Sequence, residues 1–259
     1  MAEWIVGWII LIIPIAFVCE FLDSSLGMGY GTVLTPVLLI MGFNPLQIVP
    51  AVLLSEFVSG LTAAAFHHTS RNVYLHPKSI DFKVAIFLAL LSVIGTVASV
   101  FVMVNLSPRV LKLWIGAIVF AMGVIILLTY KLQPKFSWPK IGILGAVAGF
   151  NKGLSGGGYG PLVMGGQILS GIGVKNAVGI TSLAEGLTCL TGVILYFCLR
   201  QKVDWVLAPW TMAGAVLSIP FAVYIVKKVP EKQLKLIAAG VIIILGCLTF
   251  GKEIMKMLI

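Results

Sequence analysis

The chain has 259 residues, of which 59% are hydrophobic and only 10% charged, with a mean hydropathy of +1.09. A soluble domain cannot hide that much apolar surface, which excludes the water-soluble enzyme and binding-domain classes. The formal net charge of +9 would suggest nucleic acid in a soluble protein. Here Lys and Arg mostly sit in short loops beside apolar runs, where they anchor topology and meet anionic headgroups, so the bilayer is the expected partner and nucleic acid is not.

The first apolar run, Trp4–Leu22, is interrupted over Asp23–Gly31 and continues as a half-length piece, Thr32–Met41. Glu3 precedes this run and no basic segment does, so a cleavable signal is not expected. Pro45–Phe66 forms the next span. The loop His67–Ile80 holds His67, His68 and His76, which read as interfacial side chains rather than catalytic or metal ligands. Further spans follow at about Phe82–Val104 and Val110–Tyr130, each near the ~20 residues a crossing needs. The loop Lys131–Lys140 carries three lysines and two prolines. A second series begins at Ile141–Phe150, breaks at Asn151–Gly160 and resumes at Pro161–Leu169. Spans at about Ala177–Leu199, Trp205–Val226 and Leu234–Phe250 complete it. Cys19, Cys189, Cys198 and Cys247 are scattered through apolar segments without metal-ligand spacing. No metal or cofactor is expected.

The two series repeat each other. One ungapped offset of 129 residues aligns Phe21 with Phe150, Gly27 with Gly156, Gly29 with Gly158, Tyr30 with Tyr159, Gly31 with Gly160, Gly42 with Gly171 and Glu56 with Glu185. The expected organisation is a first transmembrane repeat over 1–130, a basic loop over 131–140 and a second repeat over 141–259. The fold class is all-α, a polytopic integral membrane protein. It has about eight spans, or ten if each break separates two passes; an odd number per repeat would invert the second copy. Lys and Arg do not fix the orientation; both termini are read as cytoplasmic.

Each break lies at Gly-x-Gly-Tyr-Gly. Glycine tolerates backbone angles that a helix does not use, and the freed N–H and C=O groups must face protein or a water-filled cavity rather than lipid. The half-helix that follows offers unpaired N–H groups and a partial positive charge, a site suited to an anion. Proline suits a first helical turn, and Pro161 takes the place that Thr32 has in the other copy. The candidate substrate-binding residues are therefore Ser24, Ser25, Gly27, Gly29, Tyr30, Gly31 and Thr32 at one break. At the other they are Asn151, Lys152, Ser155, Gly156, Gly158, Tyr159 and Gly160. The plainer alternative is close helix packing through small residues.

Glu56 and Glu185 lie near the middle of their spans. A carboxylate there is costly and usually faces a cavity or a partner, which makes both candidates for proton coupling alongside Asp23. Structural clips to a neighbouring helix are the competing role. Asp23 and Lys152 occupy equivalent positions with opposite charge, so a direct pair or a shared contact with substrate is expected; snorkelling to the interface is the alternative for Lys152.

The stretch Leu26–Pro36, LGMGYGTVLTP, followed by an embedded acid, resembles the TauE/SafE family of sulfite exporters, within the wider 4-toluene sulfonate uptake permease grouping. Ser155–Pro161, SGGGYGP, resembles the same signature. The resemblance runs over nearly the whole chain. It implies export or uptake of sulfite, sulfonates or related sulfur-containing or organic anions across a bacterial inner membrane, by a transporter rather than an enzyme, with a small anion and the bilayer as partners. A second copy of the chain is a further candidate partner.

Two other functions are open to the sequence. Gly29-Tyr30-Gly31 and Gly158-Tyr159-Gly160 resemble the carbonyl filters of potassium channels, although the preceding Thr-Val is absent. Gly153–Gly157 matches Gly-x-Ser-x-Gly around Ser155, as in a serine hydrolase, although no histidine follows His76.

Overall fold

The computed structural model describes residues 2–43, 45–103, 135–155, 159–199 and 206–230, with isolated positions between 121 and 128 and between 232 and 247. The expected span near 110–130 lies almost wholly outside the described residues, and more than half of that near 234–250 does. The described helices are α1 (Ala2–Leu26), α2 (Tyr30–Ile40), α3 (Pro45–Thr69) and α4 (Ile80–Met103), then α5 (Trp138–Ser155), α6 (Tyr159–Leu169), α7 (Val174–Leu199) and α8 (Ala208–Lys228). No strand occurs among the described residues. Stretches of α3, α4, α7 and α8 are long and apolar enough to cross a bilayer.

The helices present their polarity inward. On α4, Ser92, Thr96 and Ser99 are buried while Leu90, Ile94 and Val97 are exposed; on α8, Thr211 and Ser218 are buried while Leu217, Phe221 and Tyr224 are exposed. That distribution suits a surround of hydrocarbon, where apolar side chains face out at no cost and polar groups must be satisfied inside. The helices join through small residues. A Cβ on Gly149 of α5 would fall 2.2 Å from the Cα of Ser92, and one on Gly60 of α3 would fall 3.0 Å from the Cα of Gly186 of α7. Backbones this close allow hydrogen bonds between helices: Ser92 Oγ donates to Gly145 O at 3.2 Å and Thr96 Oγ1 to Gly149 O at 3.0 Å.

Among the described residues the two largest apolar clusters divide the helices between them. One gathers Ile12, Tyr30, Leu34, Leu38, Ile48 and Ala215 from α1, α2, α3 and α8. The other gathers Leu88, Ile141, Leu162, Met164 and Val178 from α4, α5, α6 and α7 and takes in Leu26 and Met28 from the first break. α1 lies along α8, α5 along α4, and α3 along α7.

The breaks are shorter than the sequence suggests. α1 runs on through Asp23, Ser24 and Ser25 to Leu26, and α2 starts at Tyr30 rather than Thr32. α5 runs on to Ser155, and α6 starts at Tyr159 rather than Pro161. Polar residues persist in the last turn of α1 because the helix satisfies them: Ser24 Oγ donates to Glu20 Oε1 at 2.6 Å, and Ser25 Oγ to Phe21 O at 2.5 Å. What ends α1 is backbone. Gly27 and Gly29 take φ of 71° and 128°, a region that residues with a Cβ rarely adopt. The far ends of α2 and α6 share one turn: Gly42 and Gly171 have φ of 91° and 85°, Phe43 N–H donates to Leu38 O, and Ile172 N–H donates to Gln167 O.

Candidate functional site: a lysine held by two glutamates

Where α3 crosses α7, Glu56 and Glu185 face a single cation. Lys152 Nζ lies 2.9 Å from Glu56 Oε2 and 2.5 Å from Glu185 Oε1. All three side chains are buried, with relative exposures of 4% for Lys152, 3% for Glu56 and 6% for Glu185. The ammonium also sits over the ring of Tyr159, 5.4 Å from its centroid. Lys152 thus turns to two buried carboxylates rather than to the surface, and an unpaired ammonium in hydrocarbon would cost several kcal/mol.

The two breaks meet beside this triad. A Cβ on Gly160 would fall 2.6 Å from Met28 Cα and 2.7 Å from Gly27 O, so the start of α6 rests directly on the first break. Both tyrosines that open the half-helices are buried and bonded: Tyr30 Oη with Ser55 Oγ at 2.6 Å, and Tyr159 Oη with Ser92 Oγ at 3.0 Å.

The first turn of α2 is occupied by carboxylates of the chain itself. Tyr30 N–H donates to Asp23 Oδ1 at 3.3 Å and Gly31 N–H to Glu56 Oε1 at 3.1 Å. The anion that this helix N-terminus attracts is thus internal. The pair expected between Asp23 and Lys152 does not form: Lys152 reaches the two glutamates, and Asp23 caps α2. Asp23, at the end of α1, lies within reach of the N–H groups across a three-residue break.

Of the remaining candidates, Thr32 is half-buried in the first turn of α2 and Asn151 is buried beside Lys152 in α5. Gly156 and Gly158, and the side chain of Ser155, lie outside the described residues. Tyr30-Gly31 and Tyr159-Gly160 are helical. Their carbonyls point along a helix rather than into a pore, unlike the backbone that a carbonyl filter needs.

Three features escaped the sequence. Glu20 is buried and accepts Ser24 Oγ at 2.6 Å and Ser59 Oγ at 2.9 Å; an acid inside the first apolar run was the signal. Cys189 Sγ lies 3.2 Å from Glu56 Oε2, a contact with no sequence mark. His67 is buried, not interfacial as expected. Its Nε2 pairs with Ser24 O at 2.9 Å and its Nδ1 with Asn72 Nδ2 at 3.1 Å, so it staples the loop to the end of α1. His68 and His76 are exposed.

A model of the family described as Sulfite exporter TauE/SafE matches residues 12–249. The chain belongs to this family. A relative from Bacillus subtilis (strain 168), "Probable membrane transporter protein YtnM", is 26% identical over 253 residues, covering 92% of this chain and 81% of its own length. No solved structure matches the chain significantly. This TauE/SafE protein is accordingly a multi-pass membrane protein of a transporter family.

Proposed function

We propose that this TauE/SafE protein is a secondary active transporter of small anions, sulfite, sulfonates or related sulfur-containing or organic anions, across a bacterial cell membrane with coupling to protons. The observation that carries the reading is the buried Lys152 ammonium between two carboxylates at the contact of the two breaks. Any anion that reaches Lys152 must displace a carboxylate from it, and a carboxylate yields most readily when it takes a proton. Anion entry and proton entry are then one event. Glu56 and Glu185, with Asp23 nearby, are the proton-coupling candidates, and the serines and N–H groups of the breaks line the path.

A duplicated architecture underlies this reading. Under the offset of 129 residues α1, α2 and α3 correspond to α5, α6 and α7. The packing supports it: exchanging the halves turns the α1–α8 contact into the α5–α4 contact and returns the α3–α7 contact to itself. Rocking one half against the other about the α3–α7 crossing would expose Lys152 to each side in turn.

Purified protein in liposomes, given radiolabelled sulfite, thiosulfate or a sulfonate with and without a pH gradient, tests the proposal. Accumulation of at least one anion driven by the gradient is the expected result. Equal, gradient-independent background in protein-containing and empty vesicles would reject it.

A further inference from the structure

The two glutamates on Lys152 are sequence equivalents, but their surroundings differ atom by atom. Glu56 has both oxygens engaged: Oε1 accepts Gly31 N–H at 3.1 Å, while Oε2 meets Lys152 Nζ at 2.9 Å and Cys189 Sγ at 3.2 Å. Glu185 spends Oε1 on Lys152. Its Oε2 is buried and has no hydrogen-bond partner among the described residues. Glu56 is held by three helices besides its own, through Gly31 of α2, Lys152 of α5 and Cys189 of α7; Glu185 is held by the lysine alone. A buried carboxylate oxygen without a donor is the place where a proton is most favourable, because protonation removes a charge that nothing else compensates.

From this difference we infer that Glu185 is the carboxylate that releases Lys152, taking one proton on Oε2, and that the site carries one monovalent anion with each proton. The inference rests on the transport reading above and adds to it which acid moves and what charge the substrate bears. In the resting cluster one ammonium faces two carboxylates, a net charge of −1. A proton arriving from the aqueous side forms an O–H bond at Glu185 Oε2, the ionic contact between Lys152 and Glu185 Oε1 breaks, and the anion takes its place on the ammonium. Glu56 stays ionised on Gly31 N–H and keeps its hold on Lys152. The loaded cluster holds Lys152, Glu56, neutral Glu185 and a monoanion, again −1. A dianion would leave it at −2 in a low-dielectric interior, which makes a monoanion such as a sulfonate or hydrogen sulfite the suitable cargo and sulfate a poor one.

The other titratable groups around Glu185 do not replace it. Glu20 and Asp23 of α1 lie within electrostatic range of it. Glu20 has a donor on each oxygen, from Ser24 and Ser59, and Asp23 is only half-buried and accepts Tyr30 N–H on Oδ1. Tyr159 of α6 faces Lys152 through its ring and is bonded through its hydroxyl to Ser92 of α4. Cys189 is one turn along α7 and turned to Glu56. α4 brings Asp81 against α7 at Asn176, at the N-terminal end of that helix.

The experiment uses the whole chain in proteoliposomes with radiolabelled methanesulfonate as the monoanion and sulfate as the dianion, with hydrogen sulfite and thiosulfate as further probes. In the wild type an inward proton gradient of about one pH unit should support about tenfold accumulation of methanesulfonate. A diffusion potential of about 100 mV should change it less than about twofold, because no net charge moves; a cycle moving one net charge would give roughly fiftyfold. Glu185→Gln should lose gradient-driven accumulation, and its residual exchange should no longer vary with pH. Glu56→Gln should lose exchange itself. Potential-driven accumulation in the wild type, or gradient-driven accumulation surviving in Glu185→Gln, would overturn the inference. The potential measurement needs no variant, so it decides even if Glu185→Gln fails to insert. Absence of counterflow for all four anions in the wild type would instead sink the transport reading together with the inference built on it.

Discussion

At the first break the chain supplies its own anions: Asp23 and Glu56 accept the N–H groups of Tyr30 and Gly31, and the positive end of α2 is neutralised from within. At the second break it supplies a cation: Lys152, in the position equivalent to Asp23, crosses to Glu56 and Glu185. The two segments share Gly-Tyr-Gly spacing, half-helix length and terminal turn, yet one residue inverts their electrostatics. The difference teaches that two matching sequence segments can bring opposite charges to one polar centre, and that the residue at one position decides which partners it finds.

The comparison is broken most severely by removing the cation. Lys152→Met leaves two carboxylates buried side by side, and losing one partner of a buried ion pair typically costs about 3–5 kcal/mol. Thermal unfolding in detergent should show that loss together with abolished anion uptake, and adding Glu56→Gln with Glu185→Gln should restore much of the stability without the uptake. A Lys152→Met protein as stable as the wild type would mean that the triad contributes nothing to the fold.

Next comes the glycine contact between the breaks. Gly160→Ala drives a Cβ into the backbone of Met28 and Gly27, at 2.6 and 2.7 Å, where no flexible side chain can yield. Overpacking of this kind costs about 1–3 kcal/mol or more. Gly29→Ala meets nothing closer than 3.9 Å and pays only for its φ of 128°, so its cost should be smaller, roughly 1–2 kcal/mol. Unfolding midpoints of the two variants in one detergent compare them directly. Equal or reversed losses would argue against direct contact of the breaks.

Asp23→Asn should have the smallest effect. The amide oxygen of Asn still accepts Tyr30 N–H, and no cation is orphaned because Lys152 is held elsewhere. A stability change of about 1 kcal/mol or less is expected. A loss matching that of Lys152→Met would restore the direct charge pair that the sequence suggests.

By itself the sequence determined that this is a helical membrane protein, because its apolar runs and scarcity of charge leave no other way to satisfy the chain. It also determined where the helices break, since the repeated glycines mark positions whose backbone angles other residues avoid: Gly27 and Gly29 carry positive φ. Glu56, Glu185 and Lys152 were legible as important because charge inside an apolar run needs a partner. Which partner each finds was not, because pairing depends on how helices distant in sequence cross, and reach differs between a lysine and an aspartate at equivalent positions. Only the tertiary structure gave Lys152 to the two glutamates, turned Asp23 to the end of α2 and buried His67 against Ser24. The same packing removed the equivalence of the glutamates, since the N–H of Gly31 and the thiol of Cys189 reach Glu56 alone. Local physics along the chain fixes what must be buried together; the crossing of α3 and α7 decides who meets whom.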